Sequence, residues 1–447
     1  MKGWPGGWTL AAILAASTPA AADEAPATVE GRAFYKTMGA GYALPQDLVD
    51  VAAHLSKVTG QDATLPRSLA ANYHSARAWG RLLVSENLDF SAGWQLTAAM
   101  ASDAALLGAS GSGLVGGAAP ASLAPAKRRL VDFDPYLLSR PTLRVGHNLD
   151  LLNAHWRSRW GDVTVGRQAL AWGSGRFWNP TDRLAPFAPS DIDREVRRGV
   201  DAVRWTVPLG VTALVDMLWL PQKEAGDQSG VVRAQANALG WDGALVAAKY
   251  VDVALVGADV AGDVGPVAVH AEAALSGPWG SPGNWRENTV VRGVVGGDWR
   301  PAEKWLLMGE YLFDGGGTTD PGRYLRILRD AEHLRGEWFG AGRHRTALAA
   351  AYRWSELLSI TATALVNCTD PSAMLLPSAE WWFEQNVLVR AGVYLPVGRG
   401  VDARAVTKLQ AADLLTPAGQ AAAQSLGIQS EYGMSPWGGF LQVGIYR

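Results

Sequence analysis

From Leu88 to Met100 the chain alternates. Leu88, Phe90, Ala92, Trp94, Leu96, Ala98 and Met100 share one parity; Asp89, Ser91, Gly93, Gln95 and Thr97 hold the other. Successive side chains of a strand point to opposite faces, so this segment has one apolar face and one wettable face. Leu149–Trp160 repeats the pattern, with Leu152, Ala154, Trp156 and Trp160 against Asn153, His155, Arg157 and Arg159. In Val264–Leu275, Val267, Val269, Ala271, Ala273 and Leu275 oppose His270 and Glu272. Further on, Trp305, Leu307, Tyr311 and Phe313 oppose Lys304 and Glu310, and Val387 to Leu395 opposes Arg390 and Tyr394.

The breaks "SEN", "WGD", "PLG", "GDVG", "RPAEK", "WSE" and "EQN" join such segments into hairpins. The pattern predicts strands over 28–36, 73–84, 88–101, 149–160, 162–172, 199–207, 209–220 and 244–258. It continues over 264–276, 289–299, 304–314, 345–353, 356–367, 372–383, 386–396 and 437–447. The fold class is therefore all-β: a transmembrane antiparallel up-and-down barrel of about 16 strands, with 14 to 18 compatible. Short turns face the periplasm, and the long connections 37–72, 102–148, 173–198, 221–243, 277–288, 315–344 and 397–436 face outward. A large periplasmic all-β domain is the alternative.

Two long connections carry helical spacing. In "QDLVDVAAHLSKVTG", Leu48, Val51, Ala52, Leu55 and Val58 are apolar, with Asp47 placed to cap and Gly60 to terminate. In "TPAGQAAAQSLG", Thr416 can cap, Pro417 takes the first helical position and Gly427 can close. Ser110–Ala126 is of low complexity.

Composition supports a lipid-facing sheet: 51 glycines and 20 tryptophans accompany only 18% charged residues. Lys2, the apolar stretch Leu10–Ala16 and "STPAAADE" read as an export signal over 1–22 cleaved after Ala22, leaving 23–447 as one barrel domain in a bacterial outer membrane. No run of 18 apolar residues offers a transmembrane helix. With Cys368 as the single cysteine, the chain forms no internal disulfide and has no lipid-anchored N-terminus.

If the apolar faces meet lipid, the opposite faces line a lumen. By that alternation Arg77, Arg81, Arg157, Arg159, Arg167, Arg204, Arg292, Arg345, Arg353 and Arg390 line the pore, against Asp216, Glu272, Asp298, Glu310 and Glu380. A confined basic interior attracts anions. The bland reading is that these arginines pair with acids on neighbouring strands and stiffen the wall. Gln168 shares a face with Leu170, which predicts a bulge there.

Other chemistry finds little support. "GSG" at Gly173–Gly175 lacks the residues of a phosphate-binding loop or dinucleotide motif. Asp191, Asp193 and Glu195 alternate as calcium ligands could, but without an EF-hand pattern and with Arg194, Arg197 and Arg198 interleaved, so an ion-paired loop is expected rather than a metal site. None of the seven histidines lies in a nucleophile motif; His270 beside Glu272, and His155, are the best candidates for a hydrolase. The chain is thus read as a non-enzyme without cofactor or metal, and a net charge of −2 gives no reason to expect nucleic acid as a partner.

"VGRQALAWGSGRFWNPTDRLAPF", Val165–Phe187, resembles outer-membrane barrels of the alginate-export and porin-like type. Gly166, Arg167, Gln168, Trp172, Gly173, Asn179, Pro180 and Asp182 carry the similarity, and "GVDAVRW" from Gly199 resumes the barrel. The resemblance implies a channel whose partners are membrane lipid and a small anionic solute or acidic polysaccharide. The loop 173–198, with Arg176, Asp182, Asp191, Asp193 and Arg194, is expected to fold inward as a constriction. The alternative is a non-conducting scaffold or receptor barrel that engages a periplasmic partner.

Overall fold

The computed structural model describes residues 28–60, 64–103, 129–131, 136–280, 288–410, 416 and 427–447. The expected export signal, the low-complexity stretch and nearly all of the helix expected after Thr416 lie outside them. The first half holds β1 (Thr28–Ala43), β2 (Ser68–Ser85), β3 (Leu88–Ala101), β4 (Tyr136–Arg140), β5 (Leu143–Ser158) and β6 (Gly161–Gln168). Then come β7 (Val200–Pro208), β8 (Ala213–Leu220), β9 (Ser229–Ala238), β10 (Trp241–Tyr250), β11 (Val253–Val264) and β12 (Val267–Pro278). The chain finishes with β13 (Val290–Trp299), β14 (Trp305–Asp314), β15 (His344–Arg353), β16 (Leu358–Asn367), β17 (Ser372–Glu384), β18 (Val387–Val397) and β19 (Trp437–Tyr446).

Every pairing between these strands is antiparallel. β1 pairs with both β2 and β19, from Phe34 opposite Tyr446 to Ala43 opposite Trp437, so the sheet closes on itself. The barrel has 18 strands. The short β4 stands outside that count; it pairs with β5 at Leu143–Gly146, beyond the point where β6 has ended.

The expected 16 strands fall two short, for local reasons. The predicted strand 244–258 is really β10 and β11, which reverse between Tyr250 and Val253. Val251 takes a left-handed φ of 53° there without any Gly or Pro to signal a turn. β9 lies within the connection 221–243 that the pattern gives no strand, because its outward face carries alanines, Ala234 and Ala236, that give little alternation. It returns through Leu239-Gly240, where both residues have positive φ as a type I′ hairpin requires.

Face selection follows the alternation. Leu152, Val165, Leu245, Val256, Val295, Leu348 and Leu441 are exposed on the outer face. Exposed tryptophans cluster at the two ends of the barrel: Trp160, Trp205, Trp241, Trp299, Trp305, Trp354 and Trp381 near the short turns, Trp219, Trp279 and Trp437 near the long loops. An apolar band between aromatic girdles is the surface a lipid-embedded barrel presents.

At the loop end, helix Gln46–Thr59 packs Val51 into a cluster with Tyr324, Leu325, Val401, Val406, Ile428 and Met434. Gly60, at φ 69°, terminates the helix as expected. Asp47 lies in its first turn and makes no side-chain cap; Pro45 occupies the capping position instead.

Candidate constriction site in the lumen

β6 stops at Gln168, and residues 169–199 turn into the barrel without forming a strand. The register explains this direction. Gln168 shares the inner face with Thr164 and with Ala202 and Val200 of β7, and Leu170 continues on that side. Leu170, Trp172 and Leu184 bury themselves against Val200, Leu218, Leu220, Val231, Val246, Tyr250 and Leu255, so apolar burial draws the loop root inward. The pairing shows no register shift in β6, so the expected bulge is absent. Gly166 (φ 119°) lets the strand approach so closely that a Cβ would stand 2.3 Å from the Leu152 carbonyl oxygen.

The same register corrects Arg167. It stands opposite Leu152 and Asp201, on the outward parity of Val165, not in the lumen. Its guanidinium is buried, pairs with Asp201 at 2.7 Å and donates to the carbonyls of Leu149 and Val131. It stitches the wall where the β6 ladder has ended.

Inside, the loop is anchored to the strand wall twice, and Arg183 also pairs with Glu332 and Glu337 of the 315–344 connection, at 3.0 and 2.8 Å. At the first anchor the Ser174 and Thr181 N–H groups donate to Glu272 at 3.1 and 2.6 Å, and the Thr181 hydroxyl donates at 2.7 Å. The N–H groups of Arg176, Phe177 and Trp178 converge on the Glu310 carboxylate at 2.6, 3.2 and 2.8 Å. His270 Nε2 lies 3.0 Å from the same carboxylate, and Arg176 pairs with Asp298 at 2.6 Å. Trp178 and Phe177 then pack into the inner apolar cluster with Leu312, Trp338 and Ala347.

At the second anchor the polarity reverses: the loop supplies the acids. Asp193 and Glu195 both meet the buried Lys36 of β1, at 2.7 and 2.6 Å. Glu195 also pairs with Arg390 of β18 and accepts from the Tyr446 hydroxyl, while Gln442 of β19 donates to Asp193. Around the barrel, β12–β14 lie about six strands on from the loop root, and β18–β1 about six further. The loop is therefore suspended from three roughly equally spaced points.

The inward arginines of the wall are largely paired. Arg77 meets Asp150 at 2.7 Å, Arg81 and Arg157 both meet Asp89 at 2.8 Å, and Arg204 meets Asp216 at 2.8 Å. Arg292 and Arg345 share Asp314 at 2.9 and 3.1 Å, and Arg390 meets Glu380 at 2.6 Å. Arg353 stands near the turn end, 3.6 Å from Glu303, and Arg159 lies in the turn beyond β5 over the Trp160 ring. The expected two-to-one basic wall is thus corrected. Its count of acids lacked Asp89, Asp150, Asp259 and Asp314: Asp150 falls at a register shift, Asp259 in an unrecognised strand, and Asp314 at a strand end.

Among the described residues, the loop itself carries three arginines that are exposed or without an ion pair. Arg194 is exposed and donates only to the carbonyls of Ala188, Pro189 and Asp191. Arg198 makes no ion pair with a carboxylate among the described residues. Arg176 keeps half its side chain exposed despite Asp298. Asp182 is fully buried against Arg197, yet burial outweighs that partner and raises its carboxyl. Burial also pushes Asp191 up to about 6, offset in part by the Ala188 N–H and by Arg194 and Arg198. Asp193 is held below the usual range because Lys36 overcomes its burial. Asp193 and Glu195 are ion-paired, but with the wall and not with their neighbouring arginines, and the described residues hold no metal-ligand cluster.

Lys36 is the last residue of the strand that the pattern predicts, whereas β1 runs on to Ala43 and sets Lys36 in mid-strand. Alternation gives Glu272 and Glu310 the face opposite the apolar one, but their partners are backbone amides 91 to 134 residues away, which no spacing announces. His270 serves Glu310, and His155 lies between Asp89 and Asp162, at 3.3 and 3.6 Å.

No protein-family model and no curated protein matches the sequence significantly. Solved structures do match along nearly the whole chain. Acinetobacter baumannii OccAB1 aligns with a TM-score of 0.52 at 9% identity, covering 94% of this chain and 96% of its own. Pseudomonas aeruginosa OccK5 (OpdH) gives 0.51 at 8% identity, covering 93% and 98%; OccD3 (OpdP) of the same organism gives 0.50 at 10%, covering 94% and 93%. At such identities the likeness is one of fold, and this chain shares the barrel fold of the Occ proteins.

Proposed function

We propose that this protein is an outer-membrane channel for small anionic or polar solutes, with loop 169–199 as its selectivity element. The observation that supports the reading is the suspended loop: it carries Arg176, Arg194 and Arg198, while its Asp193 and Glu195 are engaged by Lys36 and Arg390 of the wall. Fixed cations inside low-dielectric walls raise the local concentration of anions. The outward apolar band, the two tryptophan girdles and the closed barrel fold shared with the Occ proteins support an outer-membrane location. A loop tied across the lumen favours small solutes over the acidic polysaccharide that the alginate-export resemblance implies.

Proteoliposome uptake tests this reading. Small carboxylates should enter faster than neutral sugars of similar size, and Arg194→Gln with Arg198→Gln should lower that ratio by about tenfold. Equal uptake of cationic and anionic solutes, or an unchanged ratio in the variant, counts against it.

A second reading, a sealed receptor or scaffold barrel, draws on one observation: helix Gln46–Thr59 packs Val51 into an apolar cluster with residues of the connections 315–344 and 397–436. A folded barrel that admits no solute and co-purifies with a periplasmic partner would favour it.

A further inference from the structure

We infer that Glu272 and Glu310 are positioning residues that latch the constriction loop to the wall and so set the bore, an inference that rests on the channel reading above. Within the eight residues Ser174–Thr181, five backbone N–H groups and one hydroxyl point at two carboxylates. Both carboxylates are buried on the inner wall. Glu272 makes no ion pair among the described residues, so its charge is met by the loop amides and Thr181 alone. A buried anion without a cation is costly unless several donors converge on it, and an unpaired buried N–H is costly in turn. Loop and wall satisfy each other, and neither is satisfied apart in this position.

The wall is shaped for the latch. A Cβ on Gly296 would stand 2.5 Å from His270 Nε2 and 2.7 Å from the Gly309 carbonyl oxygen, so glycine leaves the imidazole room to reach Glu310. On the loop side Gly173 takes φ 90°, a conformation in which the chain turns towards Glu272. The second anchor, on Lys36 and Arg390, uses different chemistry and lies on the other side of the lumen. Neutralising the two glutamates therefore removes the backbone attachment of Ser174–Thr181, leaving only Arg176–Asp298 and the packing of Phe177 and Trp178 there, while Asp193 and Glu195 stay tied.

The change Glu→Gln keeps side-chain size but replaces one acceptor oxygen by a donor facing the loop N–H groups. We compare wild type with the Glu272→Gln/Glu310→Gln double variant, and with Asp216→Asn, which removes a buried wall carboxylate that does not touch the loop. Hydrogen exchange followed by mass spectrometry reads peptides over 174–181 and, as a check on the barrel, over β15. Single-channel recording reads the bore.

In the double variant, exchange over 174–181 should rise by at least about tenfold and conductance should increase with added open-channel noise, while β15 stays protected and Asp216→Asn leaves exchange over 174–181 at the wild-type rate. Unchanged exchange over 174–181 in a folded barrel overturns the latch. Faster exchange with conductance identical to a conducting wild type overturns its control of the bore. Faster exchange in a barrel that never conducts supports the latch and tells against the channel reading, so the two failures are distinguishable.

Discussion

Asp191 is the loop residue whose charge changes within an ordinary working range. Burial raises its carboxyl to about 6, so it is ionised at pH 7.5 and protonated at pH 5. Protonation removes a negative charge beside Arg194 and Arg198, so anion selectivity should rise as pH falls through about 6. Reversal potentials at pH 7.5 and 5 measure this; Asp191→Asn should show the acidic-pH selectivity at both values. A fall in selectivity on acidification, or the same step in the variant, contradicts it. At this scale the sequence shows which residues carry charge but not whom they meet. Arg167 is instructive: its neighbour Gln168 is inward, and simple parity, followed without adding a bulge, places the arginine outside.

The strands were the most legible elements because a lipid-facing wall enforces strict alternation. A slip of one residue would turn every apolar side chain into the lumen. Legibility failed where that signal was interrupted by chemistry without punctuation, as at Val251–Asp252, or diluted by alanine, as in β9. The outer face of β15 offers a direct check. Leu348 is exposed in mid-strand between Gly309 and Ala364, so Leu348→Arg should cost about 2–4 kcal/mol in urea unfolding from lipid vesicles. The inward Ala347→Ser should cost far less. Equal costs would mean that the two faces are misassigned.

At the scale of the whole molecule, the wall and the loop divide the work. Wall charges pair mostly with one another, across adjacent strands as in Arg204–Asp216 and Arg292–Asp314 or across one intervening strand as in Arg77–Asp150. The Gly, Asn and Pro residues of 173–198 mark where a strand must end, as β6 does at Gln168. The suspension of the loop was not legible, because Lys36 and Asp193 stand 157 residues apart and Glu310 and Arg176 134 apart. Only barrel closure brings such partners together, and closure depends on a strand number that local pattern leaves open between 14 and 18.

The reversal potential of the purified barrel in a planar bilayer under a potassium chloride gradient bears most directly on whether this is an anion-preferring channel. With Arg176, Arg194 and Arg198 carried on the suspended loop, the sign should be that of chloride permeating faster than potassium. Potassium preference, or a folded barrel that carries no current, would contradict it.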